Sequence, residues 1–313
     1  VKSVTSRRLQ VERLESRLTC AGNVTAAIVS GSLIITGDDS PNRITVESAG
    51  VGRIQVRGFG TAINGFSNGL RYFDGVTGGV EIRTRGGDDL VRVTNVILPG
   101  KLLVDLGDGN DEAVIGHDRP VGDSRFANTP TGHVAVYGDL RVIGGEGNDL
   151  LHQSYVHAKK LTTFDMGGGN DRIQMEQFPG EGQDDKFRGA LNILPGAGDD
   201  QLDLSDVVAE AGVTINDPAG VNRISLTNFQ ALASLTAQLG VHADQVQLTN
   251  VSAVRLEVQC NGDNDTVTLK SVTATDAIFG GGNGDDLYQD SLVATNRFGT
   301  LTRSGFERVE HSA

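Results

Sequence analysis

The chain of 313 residues has no tryptophan, two cysteines, seven prolines and no long apolar run. With aromatics at only 5 %, broad stacking platforms for sugars are scarce. Cys20 and Cys260 are too few for a disulfide framework, and their spacing does not say whether they pair. No stretch approaches the roughly 18 apolar residues of a membrane-spanning helix. Twenty-seven bases against 40 acids give a net charge of -13, which disfavours nucleic-acid phosphate and anionic lipid as partners; a polycation or a metal ion would fit better. No Gly-x-Ser-x-Gly elbow, phosphate-binding loop or His-Glu-x-x-His helix occurs, and the six histidines have no zinc-like spacing.

What the chain has in excess is glycine, 42 residues, and the glycines recur in a fixed phrase. A glycine-rich turn leads to Asp or Asn, then a polar residue, then apolar and polar residues in alternation. The anchors are Asn42, Asp89, Asp111, Asp149, Asp171, Asp200, Asn222, Asp244, Asp265 and Asp286. From Asp89 the intervals are 22, 38, 22, 29, 22, 22, 21 and 21, so one period of about 22 carries two insertions. Such a period marks a stacked repeat.

Apolar pairs stand two and four residues after the anchor, as in Ile173 and Met175 or Val246 and Leu248. A second set stands nine and seven residues before it, as in Leu102 and Val104 or Val213 and Ile215. A third column, seven residues after the anchor, runs through Val96, Val156, Phe178, Val207, Phe229, Val251, Val272 and Val293. Three short alternating strands per period predict a three-sided coil that buries its apolar faces only by stacking. The expected fold is all-β, a right-handed parallel β-helix of about ten to eleven coils. One domain, 23–298, is expected between an N-terminal segment, 1–22, and a C-terminal cap, 299–313. The pattern weakens over 47–79, where Ile54 and Val56 suggest one irregular coil.

Each glycine run falls at a sharp corner, where glycine adopts positive φ at no steric cost and Asn or Asp tolerates it next best. Turn geometry alone therefore accounts for the phrase. Stacking, however, would bring like carboxylates to about 4.8 Å, a repulsion of about 0.9 kcal/mol in water and roughly 3.5 kcal/mol at an effective dielectric of 20. A divalent cation would reverse that sign, and Ca²⁺ takes six to eight oxygens. The phrases "GGEGNDLLH" (144–152), "GGGNDRIQM" (167–175), "GAGDDQLDL" (196–204), "GDGNDEAVI" (107–115) and "GGNGDDLYQ" (281–289) resemble the Gly-Gly-x-Gly-x-Asp motif of RTX-type calcium-binding β-rolls. That resemblance implies structural Ca²⁺ held by Asp111, Asp149, Asp171, Asp200 and Asp286, and the column extends the candidate ligands to Asp89 and Asp265. The departure is that RTX nonapeptides run two per coil, whereas this chain has one per 22 residues. Asn222 and the "GVHAD" phrase before Asp244 also lack the glycine-acid signature.

The insertions, read as 117–133 and 178–190 between the third strand of one coil and the first of the next, should project from one flank together with "YVHAKK" at 155–160. This flank offers Arg119, Arg125, His157, Lys159, Lys186 and Arg188 as candidate catalytic cations, with His117, Asp118, His133, Lys160, Asp184 and Asp185 beside them. In architecture, though not in any motif, it is similar to the cleft of pectate-lyase-like enzymes. The N-terminal "SRRLQVERLESRL" resembles the export motif of planctomycete-type surface proteins, through Arg8, Leu9, Glu12, Leu14, Glu15, Arg17 and Leu18; an amphipathic helix is the plain alternative. The function expected is a non-catalytic, exported, calcium-stabilised solenoid acting in cell-surface structure, matrix or adhesion, with a glycan or other surface or matrix component as partner. The other reading is a polysaccharide lyase or hydrolase using the inserted flank.

Overall fold

The computed structural model describes residues 22–67, 69–116, 132–176, 185–291 and 296–312. These residues form one large, nearly closed sheet of mostly parallel strands, with no helix among them. The export motif, Cys20, Arg119 and Arg125 lie outside the described residues, as do Phe178 and Val293.

Three parallel ribbons run the length of the molecule. The strands Val80–Arg83, Leu102–Asp108, Leu140–Glu146 and Thr162–Gly168 belong to the first, and Leu102 stands opposite Val80 on one side and Leu140 on the other. In the second, Val91, Ala113, Leu151, Ile173 and Leu202 are in register. Shorter strands, Val96–Leu98, Val134–Val136, Val156–Ala158 and Asp185–Phe187, make the third. Alternation sends every second side chain inward, so the apolar columns read from the sequence fuse into one core that is almost wholly shielded from water. Leu202, Ile173 and Phe164 are fully buried, and each such side chain contributes roughly 1.5–3 kcal/mol.

Two expectations are corrected. Both insertions fall between the second and third strands of a coil, because the third strands begin at Val134 and Asp185, after the segments 117–131 and 177–184. The seven-residue offset fixes the third strand only where nothing is inserted; residues 185–187, read as part of an insertion, are therefore strand, and Asp185 holds an inward position. Nor is 47–79 an irregular coil. The strand Arg43–Gly50 turns back through Arg53–Gly58 to Leu70–Asp74 as an antiparallel excursion, and the solenoid resumes at Val80. Ile54 and Val56 are buried, although their strand lies outside the parallel stack.

The tail does not end the ribbons abruptly. Arg297–Ser304 and Arg308–Ser312 pair in parallel with the preceding coil, and Glu307 falls where the next anchor would stand.

Because each coil touches only its neighbours, damage should depend on position. Leu202→Ala, in the middle of the stack, should cost about 2–5 kcal/mol in urea unfolding. Leu301→Ala, in the last coil and 40 % exposed, should cost under about 1 kcal/mol. Equal losses would contradict the stacked core.

Candidate functional site

The anchor column is a hydrogen-bond ladder. The backbone N–H of each anchor donates to the side chain of the next: Asn42 to Asp89 at 2.6 Å, Asp89 to Asp111 at 2.6 Å, Asp111 to Asp149 at 2.9 Å, Asp149 to Asp171 at 2.7 Å and Asp171 to Asp200 at 2.7 Å. It continues through Asn222, Asp244, Asp265 and Asp286, and Glu307 supplies the last acceptor at 3.0 Å. The residue before the anchor runs a second ladder in the opposite sense. Asn148 N–H donates back to Asn110, Asn170 N–H to Asn148 and Asp199 N–H to Asn170. The Asn-Asp pair thus ties each corner to the coil on either side of it.

Glycine is required where these coils come closest. Gly169 has φ +127°, and a Cβ on it would lie 1.8 Å from the carbonyl oxygen of Gly147. Any side chain there would push the coils apart.

One oxygen of each aspartate is thereby committed. The other, Oδ2 of Asp89, Asp111, Asp149, Asp171, Asp200, Asp244, Asp265 and Asp286, is buried without a partner. Asn222 shows what that branch faces: its Oδ1 accepts the rung while its Nδ2 donates to the carbonyls of Ala219 and Gly220 at 3.0 and 3.3 Å. The Asn42 Nδ2 likewise donates to the carbonyls of Ser40 and Asp38, although as the first anchor its Oδ1 receives no rung. An aspartate in this frame turns a bare oxygen where the asparagine carries a donor, so something positive has to stand there, a proton or a cation.

As donors for Ca²⁺ the column offers hard oxygen chemistry, but sparingly. One free carboxylate oxygen per coil remains, and among the described residues no three acidic, histidine or cysteine side chains gather as a metal site. A calcium ion would have to complete its shell from corner carbonyls and water. A proton needs only the one acceptor already beside it.

Burial pushes the carboxyls toward the protonated form against the opposing backbone hydrogen bonds: Asp89, Asp149, Asp171 and Asp265 rise to about 7, and Asp111 and Asp244 to about 6. Asp200 and Asp286 are raised for the same reason. Asp217 is the outlier that the sequence pattern did not single out. It is fully buried opposite Leu239, neither of its oxygens has a partner, and burial first, then Asp200, Asp244 and Asp171, drives it to about 8.

The second cluster lies on the outward face of the third ribbon. His157 stands opposite Lys186 in register, and the His133 Nε2 and His157 Nδ1 atoms are 3.1 Å apart. Tyr155 packs on both rings, at 4.7 Å from His133 and edge-on at 5.6 Å from His157. The Lys159 ammonium sits 5.6 Å from the centre of the Tyr137 ring. Burial and then His133, Lys186, Lys159 and Arg188 push His157 down to about 4, and burial and then Lys159 lower His133. Both imidazoles are therefore neutral at pH 7, sharing one hydrogen bond.

Arg188 is 3.6 Å from Glu210. Lys159, Lys160 and Lys186 have no carboxylate within ion-pair distance among the described residues. The structure places His133, His157, Lys159, Lys186 and Arg188 near one another, but turns Asp185 inward, where it accepts from Val156 N–H and from Gln153. Tyr137 and Tyr155 complete the patch; their columns were legible only once the register of the third ribbon was known. Cys260 is buried as a free thiol.

Comparison with known proteins returns no matching family model, no similar curated protein and no similar solved structure.

Two outcomes follow from the buried carboxyls. An aspartate whose folded pKa lies above its unfolded value of about 3.9 lends full stability below that value and loses it as pH rises through the folded pKa. In chelator, the melting temperature should fall by several degrees between pH 5 and pH 8; a rise over that range would contradict the protonated ladder. Asp217→Leu should raise stability at pH 8 by about 1–3 kcal/mol in urea unfolding, since it removes a buried carboxyl with no partner; a loss of stability would show that Asp217 has a favourable role.

Proposed function

We propose that this chain is a non-catalytic, exported, right-handed β-helix that serves as a structural component of the cell surface or matrix. The observation that carries this reading is the two-way ladder. It invests one carboxylate oxygen per coil, along the length of the molecule, in joining coils, and the other oxygen is buried away from any substrate. Export rests on the N-terminal resemblance, and contact with a surface glycan is the partner class that goes with it.

The lyase or hydrolase reading finds less support. A C5 proton abstraction of the pectate-lyase kind needs carboxylates that hold a metal beside a cationic base. Among the described residues of the flank the one buried carboxylate, Asp185, is consumed inside the core, and the two histidines hydrogen-bond to each other. Incubation with polygalacturonate and alginate, with calcium present, should yield no unsaturated product by ultraviolet absorbance. Product formation that is lost in Lys159→Ala would overturn the non-catalytic reading, and recovery of the native protein only in the cytoplasmic fraction would overturn the surface assignment.

A calcium-stabilised ladder remains a second reading, favoured by the row of unpartnered Oδ2 atoms. The ligands would be Asp89, Asp111, Asp149, Asp171, Asp200, Asp265 and Asp286, each through Oδ2, and the ion's binding energy would appear as folding energy. Calcium competes with protons for these oxygens, so its effect should grow with pH. A melting temperature at pH 8 that rises with millimolar Ca²⁺, but not with Mg²⁺, and returns on chelation would establish it; identical curves would leave the ladder to protons alone.

A further inference from the structure

The antiparallel excursion has a consequence for the surface. Its hairpin tip, Val51, is fully exposed, and together with Val76 it faces Ile97, Pro99 and Tyr137 on the third ribbon across an open, largely apolar cleft of about 820 Å³. That volume lies within the range of small-molecule sites. Isolated apolar side chains on a surface are ordinary, but a ring of them around one concavity marks a place that something apolar covers. Ile97 is 66 % exposed and Tyr137 is 52 % exposed.

The cleft has one charged end. In the register of the third ribbon, Ile97 is followed by Ala135, His157 and Lys186, one sheet spacing of about 4.8 Å apart. Tyr137 lines the cleft, and the Lys159 ammonium lies 5.6 Å from the centre of its ring. Ala135 is itself buried, so the step from apolar to cationic surface is made at Tyr137 and Lys159, one coil apart, with Lys186 one coil further. On a chain of net charge -13, three ammonium groups without a carboxylate partner among the described residues are a local exception to the overall repulsion of anions.

We propose that this cleft binds a single-chain carboxylate amphiphile, its alkyl chain against Val51, Val76, Ile97 and Tyr137 and its carboxylate at Lys159 and Lys186. A purely apolar ligand would leave Lys159 and Lys186 without a carboxylate partner among the described residues. A sugar acid would leave the cleft unmatched. The neutral histidine pair beside Lys159 adds no negative charge to oppose the head group and offers polar ring edges to it.

The test is calorimetric titration of the full chain with decanoate below its micellar concentration, against decanol, decyltrimethylammonium and tetragalacturonate. Decanoate should bind, with decanol and the cation at least fivefold weaker. The double variant Lys159→Gln/Lys186→Gln should weaken decanoate at least fivefold and leave decanol unchanged, whereas Ile97→Ser should weaken both. These side chains lie outside the core, and an unchanged circular dichroism melt confirms that each variant is folded. Absence of decanoate binding, equal binding of decanol, wild-type affinity in the double variant, or tighter binding of tetragalacturonate would each overturn the proposal. The scaffold reading does not depend on the result.

Discussion

Everything in this molecule depends on keeping consecutive corners in register. A flat parallel ribbon specifies its register weakly, because a slip by a whole coil of similar apolar residues costs little. The Asn-Asp corner removes that freedom. Its inner residue reaches the coil before it and its outer residue the coil after it, so a corner displaced along the axis breaks hydrogen bonds of both senses. Glycine is the partner of this arrangement, since only a corner without Cβ lets carbonyls and carboxylates of adjacent coils approach so closely. The apolar columns then stack because the corners do.

The same device carries a cost. An aspartate serves as an acceptor for the neighbouring N–H as well as an asparagine does, yet its second oxygen is left against carbonyls with no donor of its own. Asparagine at positions 42 and 222 meets that requirement by its amide and needs no titration. Eight of the inner rungs are aspartates instead, which ties the cohesion of the solenoid to whatever neutralises them. Asp217, one strand away from the Asn222 rung, returns a buried carboxyl to the one interior coil whose rung lacks it.

Much of this architecture is legible from residue order. The anchors Asp89 to Asp286 and the apolar pairs beside them give the period, the three strands and the identity of the core, because strand alternation depends only on local spacing. Features that depend on chain reversal are not visible in that way. Ile54 and Val56 alternate like a coil strand whether the strand runs parallel or antiparallel, and the offset to the third strand is lost once residues are inserted before Val134 and Asp185. For the site, the acidic column and the cations of the flank could be named in advance. The outer Asn110–Asn148–Asn170 ladder could not, since a turn explains those residues equally well. Nor could the cleft, whose walls come from residues as distant as Val51 and Tyr137. Glu307 lacks the glycine phrase and so does not read as an anchor, although its 21-residue spacing from Asp286 places it in the column.

The account rests on the ladder aspartates holding protons well above the ordinary carboxylate range and losing them around pH 6 to 7, and side-chain carbon NMR of aspartate-labelled protein tests that directly. Titration in chelator from pH 4 to pH 9 would follow each carboxyl separately. The account requires Asp149 and Asp171 to titrate near 7 and Asp111 near 6. If all aspartate signals titrated together near the unperturbed value of about 3.9, the ladder would be ionised already at about pH 5 and the account would be wrong.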